Sequence, residues 1–384
     1  MNKYYGYPKI ENWEVETSDE RDFASGVIAL AKEDKWVGPN YDYELMKHTK
    51  TGRAMAEAAD LEVRYKDVSD PALTEYWDAL GLQYTVHEKN GENWLSFVPK
   101  SAYEQHKRYP VMMCFRPASG RWGVFAQCFY YHLIELAAQD EMIVLVFSTE
   151  DAEKNEMFYD ILKEAETLYP IDETRVYITG HSHYGEFALH FMCKHHDIIA
   201  GVAQQGDRPG LPIKNSGMPY GINSQEKLDL MHSFDMPLID VAGWAEMNQL
   251  FPINTDAPNR YELSPMGTRS NSPVKEDRIE AWQNRLYASR CRVSSVEEIE
   301  AAANGTRAEK MLGIPTDHSE TLFVDGCEIY IGDIVNEDGN KHLRVAAVEN
   351  LSHTTCRAMH ILSWSFLRRF ARNLETGETV ELYR

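Results

Sequence analysis

The chain is short of basic residues and of cysteine, and it has no long apolar run. Against 60 acidic side chains stand only 39 basic ones, a formal net charge of −21. A field of that sign repels phosphate backbones and anionic membrane surfaces, which sets aside nucleic acid and lipid surfaces as partners. No stretch approaches the apolar length that spans a bilayer. The opening Met1-Asn2-Lys3-Tyr4-Tyr5-Gly6-Tyr7-Pro8 carries no apolar core of a secretory signal. The six cysteines, at 114, 128, 193, 291, 327 and 356, form no Cys-x-x-Cys pair and no regular spacing. Reduced thiols in a cytoplasmic protein account for them better than a disulfide framework or a zinc site. Internal repeats and low-complexity segments are also missing.

What is present is enough for a large folded core. The 384 residues are 43% apolar and 26% charged, the balance of a globular chain with one large catalytic domain or two modest ones. Residues 1–107 are polar and aromatic-rich and read as an N-terminal extension. It holds a helix over Ser69 to Leu80 and a hairpin that packs on the core. Asn90-Gly91 sits between the alternating runs Tyr84–His87 and Trp94–Val98, a strong hairpin signal.

From residue 108 onward apolar strands alternate with helices. Val111–Phe115, Met142–Phe147, Arg175–Thr179, Ile198–Gln204 and Pro237–Val241 read as strands. Phe129–Ala138, Asn155–Tyr169 and Tyr184–His195 read as helices. Strands apolar on both sides imply a mostly parallel sheet with helices on both faces. An insertion over about 250–340 interrupts the pattern before the last strand. Pro252–Pro273 reads as loop, Glu276–Arg290 and Val296–Ala303 as helices, and Glu328–Ile331 and Leu343–Val348 as strands, with Asn336–Gly339 as a turn. Cys356 to Arg372 is expected to close the chain as an amphipathic helix.

The stretch that carries chemistry is Val176-Tyr177-Ile178-Thr179-Gly180-His181-Ser182-His183-Tyr184-Gly185. An apolar strand runs into Gly-x-Ser and then into a helix. A nucleophilic serine needs its oxygen exposed on a tight bend, and glycine two residues earlier permits the close approach. The helix N-terminus favours the negative charge that develops during acyl transfer. The expected oxyanion donor is the His183 backbone N–H, and the rings of His181 and His183 are candidates to line the pocket. Tyr184 stands where a Gly-x-Ser-x-Gly elbow has its second glycine. The bland alternative is a βα turn with serine as N-cap.

Tyr109-Pro110-Val111-Met112-Met113, and above all Pro170-Ile171-Asp172-Glu173-Thr174-Arg175-Val176-Tyr177-Ile178-Thr179-Gly180-His181-Ser182, resemble the polyhydroxybutyrate-depolymerase-like esterases. That α/β-hydrolase group includes feruloyl and acetyl-xylan esterases. The similarity covers roughly residues 84 to 372. The resemblance implies a serine carboxylic-ester hydrolase working through an acyl-enzyme, without metal or organic cofactor, on a small-molecule ester. The family's acid position falls on Glu246 in Pro237–Glu246, with Trp244 as a candidate pocket wall. Its histidine position falls on His353, ahead of Trp364-Ser365-Phe366. The order Ser182, Glu246, His353 is that of α/β-hydrolases. His360 rivals His353, but a loop residue before a helix reaches a site more easily. Asp240 rivals Glu246, but it falls in mid-strand, where an unpaired carboxylate is costly.

Where the family has His-Gly after its first buried strand, this chain has Phe115-Arg116-Pro117. Pro117 has no N–H, so either Arg116 or a neighbouring amide serves the oxyanion, or the site is tuned away from ordinary ester chemistry. A permanently charged Arg116 at that mouth would favour anionic substrates. A catalytically reduced binding protein and a serine peptidase on the same fold stand as alternatives, and homo-oligomerisation is left open. The cluster Cys193-Lys194-His195-His196-Asp197 reads as a cationic helix end rather than metal ligands.

Overall fold

The computed structural model describes residues 61, 64–65, 67–104, 106–116, 122–148, 155–206, 210–211, 221–243, 275–303, 306, 309, 312–324, 327–348 and 355–382. Of the expected N-terminal extension, residues 1–60 lie outside this set, as does the loop expected over Pro252–Pro273. The first elements are a helix α1 (Pro71–Ala79) and two strands, β1 (Leu82–Lys89) and β2 (Glu92–Pro99). Asp70 caps α1 by accepting the N–H of Ala72 at 2.9 Å, and Pro71 opens the helix. Asn90 and Gly91 both have positive φ, 54° and 81°. That is the backbone a two-residue hairpin requires, and it pairs Leu82 with Pro99 through Lys89 with Glu92.

The alternating region follows: β3 (Tyr109–Arg116), α2 (Trp122–Asp140), β4 (Ile143–Ser148), α3 (Asn155–Leu168), β5 (Ile171–His181), α4 (His183–Lys194), β6 (Ile199–Gln205), α5 (Gln225–His232) and β7 (Leu238–Gly243). Then come α6 (Lys275–Ala288), α7 (Val296–Ala303), β8 (His318–Val324), β9 (Cys327–Ile334), β10 (Leu343–Val348) and α8 (Arg357–Leu367). One ten-stranded sheet runs in the order β1-β2-β4-β3-β5-β6-β7-β10-β9-β8. Its middle, from β4 to β10, is parallel throughout. The hairpin β1–β2 adds antiparallel to β4 at one side, and β9–β8 adds antiparallel to β10 at the other. The hairpin near residue 90 is thus part of the sheet itself.

Alternate residues of each strand feed two apolar layers. Val111, Met113 and Phe115 pack with α3, α4, α5, α6 and α7, whereas Met112 and Cys114 pack with α1, α2 and α8. Double burial explains the continuous apolar strands.

Several expectations change at element ends. The last helix stops at Leu367 and does not run to Arg372: Phe370–Arg372 is a strand, β11, paired with β12 (Thr379–Glu381). Buried polar contacts draw this end away from helical geometry. The Arg372 guanidinium donates to the carbonyls of Ile199 at 2.7 Å and Gly377 at 2.8 Å, and Tyr177 Oη donates to that of Phe370 at 2.6 Å. Helix α5 and strand β8 were not expected from periodicity. The former is short, capped by Ser224 Oγ accepting from Lys227 N–H at 3.3 Å. The latter is an edge strand exposed on both sides, so its sequence carries no alternation to read.

Candidate active site

The C-terminal ends of β5, β6, β7 and β10 point the same way and are adjacent, which is where open α/β sheets form their ligand crevices. Ser182 lies at this end. Strand β5 is buried from Val176 to His181, and α4 begins at His183, so one residue must make the whole turn. It does so at φ 57° and ψ −136°. Positive φ is rare for a residue with a side chain, and this ψ lies outside even the small left-handed well. Such a residue carries strain of about 1–3 kcal/mol and persists only where its surroundings over-determine it. Here the Ser182 N–H donates to the carbonyl of Gln205 at 2.8 Å, and the N–H of Gly185 donates to the Ser182 carbonyl at 2.7 Å. Ser182 is partly exposed, whereas His181 before it is buried.

Gly180 is what permits the bend. A Cβ there would stand 2.0 Å from the carbonyl oxygen of Tyr184 and 2.4 Å from its carbon. The first turn of α4 therefore occupies the space of a side chain at 180. The fold is an α/β-hydrolase.

No family model matches the chain, and no curated protein matches it. Among solved structures it is similar to a ferulic acid esterase, at 15% identity over 42% of this chain and 79% of that one, with a TM-score of 0.32. It is also similar to the protein FAE, at 11% identity over 75% of this chain and 88% of that one, with a TM-score of 0.42. A third is a feruloyl esterase module from Clostridium thermocellum, at 11% identity over 53% of this chain and 74% of that one, with a TM-score of 0.36.

In the sequence, each expected residue falls next to one of these elements. Glu246 and Trp244 follow β7, which ends at Gly243, and His353 falls between β10 and α8; all three lie outside the described residues. The strands that lead to them are parallel neighbours, Val241 pairing with Ala346 and Gly243 with Val348. Arg116 closes β3 one residue beyond Phe115, which pairs with Gly180, and His183 opens α4; of these two only the backbone is described. A helix of twelve residues starting there directs its first N–H groups and the positive end of its dipole at the serine turn.

Tyr184, where a second glycine was expected, is buried in the core with its ring 5.9 Å from that of Phe187. The close contact of this elbow falls on Gly180, and position 184 carries a core side chain. His181 is also buried. Its ring occupies the side-chain space of Gly206, where a Cβ would come within 2.3 Å of Nε2, and Gly206 adopts φ 55°.

The two rival residues have other surroundings. His360 lies on α8, fully buried, where its Nδ1 is 3.3 Å from the side-chain nitrogen of Gln205. Asp240 lies in the middle of β7, also fully buried, with its Oδ2 3.5 Å from Nη2 of Arg285 on α6. Arg285 donates as well to the side-chain oxygen of Gln204 on β6. This buried ion pair was missed at the level of sequence. An aspartate inside an otherwise apolar strand was the available signal, since it requires a cation from somewhere in the chain.

The histidines after α4 are packing residues. His195 stacks on Tyr159 at 4.6 Å between ring centroids, and His196 on Phe234 at 4.3 Å. Among the described residues, no three His, Cys, Asp or Glu side chains group as metal ligands, and no helix is long and apolar enough to cross a membrane. His190, on the nucleophile helix, is held down to about 4, by burial first and then by the positive charges of Lys227 and Lys194. All six cysteines are buried thiols outside any disulfide. Cys356, at the N-cap of α8, is pushed well above the usual thiol range by its hydrogen bond with Cys327 and by burial.

Proposed function

We propose that the chain is a serine carboxylic-ester hydrolase that works through an acyl-enzyme on Ser182. One observation carries this reading: a non-glycine residue at φ 57° and ψ −136° forms the turn between a buried strand and a helix, and that residue is a serine. An N-cap serine has no need of such a backbone. A nucleophile does, because the bend lifts Oγ clear of the sheet toward the helix N-terminus.

In this reading His353 takes the Oγ proton as Ser182 attacks the ester carbonyl, and Glu246 orients the imidazole and stabilises its cationic form. The His183 N–H donates to the oxyanion as it forms. Collapse of the tetrahedral species returns the proton from His353 to the departing alcohol. Water, deprotonated by the same imidazole, then releases the acid. Protein side chains and water handle every proton in this sequence. Trp244 borders the pocket, and Arg116 favours esters bearing an anion through a charge-assisted contact. A small-molecule ester as substrate and a cytoplasmic setting belong to the same proposal.

The test compares wild type with Ser182→Ala on a p-nitrophenyl ester and with a fluorophosphonate probe. Turnover falls by on the order of 10³-fold or more, labelling is lost, and the melting temperature stays within a degree or two of wild type. Turnover above a few per cent of wild type sinks the assignment. A wild-type protein that neither hydrolyses nor labels points instead to a binding protein on this fold.

A further inference from the structure

Strand β6 ends in two glutamines after the apolar run Ile199-Ala200-Gly201-Val202-Ala203, and both are buried. Consecutive residues of a strand face opposite layers. Gln204 accordingly meets Arg285 of α6 on one side, and Gln205 meets α8 on the other. The side-chain amide of Gln205 donates to Ser363 Oγ at 3.1 Å and to His360 Nδ1 at 3.3 Å. An amide NH₂ can only donate, so His360 accepts through Nδ1 and carries its own proton on Nε2. His360 and Ser363 are three apart on α8 and so share one face of the helix.

The main chain of Gln205 does something different. Its carbonyl receives the N–H of Ser182, and the next residue, Gly206, leaves the ladder with φ 55° while its N–H donates to Val241. Gln205 is therefore the last residue of β6, and its carbonyl accepts a hydrogen bond that fixes the strained serine. A strand-terminal residue tends to fray. This one is anchored by a buried amide, whose donors are costly to leave without acceptors.

We propose that Gln205, gripped by His360 and Ser363, is a positioning residue that holds Ser182 in its strained conformation. The inference rests on the reading of Ser182 as nucleophile. The serine is held through the Gln205 carbonyl, and that carbonyl is held in place by the side chain that α8 grips. His360 acts through Gln205 and is likewise a positioning residue.

The experiment uses the full chain and reads the rate and the stoichiometry of fluorophosphonate labelling, alongside kcat and KM on a p-nitrophenyl ester. His360→Leu removes the acceptor, and His360→Asn keeps an acceptor close to the place of Nδ1. With His360→Leu, the labelling rate constant and kcat fall by about 10- to 100-fold, the size of effect expected for a misplacement of about an ångström. KM stays within about twofold and labelling still reaches one probe per chain, because binding and folding are intact. His360→Asn recovers most of the rate. A wild-type rate in His360→Leu overturns the inference. So does a reduced labelled fraction at unchanged rate in both variants, which would mean that the contact serves folding only. Failure of the wild type itself to label refutes the nucleophile assignment and not the clamp.

Discussion

Ser182 and Gly180 divide the work of the turn between them: one holds the unusual backbone, and the other leaves room for it. The room is specific. The nearest atoms to an added Cβ at 180 belong to the Tyr184–Gly185 peptide, and backbone inside the first turn of a helix cannot swing aside as a side chain can. Gly180→Ala should therefore destabilise by about 3 kcal/mol, the upper end for overpacking, or more. It should also slow fluorophosphonate labelling in whatever protein remains folded, because α4 must move away from the serine. A melting temperature and labelling rate equal to wild type would show that the contact is looser than 2.0 Å implies. The residue pattern Gly-x-Ser was legible in the sequence as a candidate turn. What could not be read is which glycine bears the close contact. In this chain it is the first, and the position of the second holds a core tyrosine.

Among the elements, α6 is tied to the sheet by charge as well as by packing. Trp282 and Leu286 contribute to the apolar layer, and Arg285 reaches Asp240 and Gln204 with no exposure to solvent. Removing one charge leaves the other buried without this partner. Arg285→Met should cost about 3–5 kcal/mol in chemical denaturation. Adding Asp240→Leu should return most of that, because an apolar pair of similar volume is close to neutral there. If Arg285→Met alone is nearly neutral, the pair does not hold α6. The strand pattern of the parallel region could be read because its strands are buried on both faces, and α7 and β10 match their expected limits. Reading failed where tertiary contacts and not periodicity set the outcome. The helix expected to reach Arg372 stops at Leu367 because Arg372 and Phe370 are bound to the sheet. The run Asp172-Glu173-Thr174-Arg175, the strongest part of the family resemblance, has a structural role of its own at the opposite end of β5 from the serine. Asp172 accepts from Thr174 Oγ1 at 2.7 Å and Arg175 Nε at 2.6 Å. Burial alone would raise its carboxyl, but those bonds outweigh burial and hold it below its ordinary value.

At the scale of the whole molecule, two effects of acidification compete. With a net charge of −21, protonation relieves self-repulsion and should stabilise the compact state. Against this, His87, His190 and His195 are all held below their ordinary values, in each case by burial first, His190 down to about 4. A histidine with a depressed folded value favours the neutral form. Its contribution is fully present above the unfolded value of about 6.5 and is lost as the pH falls from there toward the folded value. Over that window the unfolded chain binds a proton that the folded chain refuses. The ion-paired carboxyls Asp172, Glu141 and Glu156 lie below their ordinary values, so most relief of charge is deferred to more acidic solution. The histidines should therefore prevail between pH 6.5 and roughly 5. The linkage slope has a ceiling of about 1.4 kcal/mol per pH unit for each group, and it is smaller for the half-buried His190, whose charged form keeps part of its hydration. The melting temperature, measured at constant ionic strength, should thus decline as the pH drops through this window. His190→Gln should flatten the decline while leaving the value at pH 8 nearly unchanged. A melting temperature that rises on acidification, or a slope unaltered by His190→Gln, would mean that relief of the negative field outweighs the buried imidazoles.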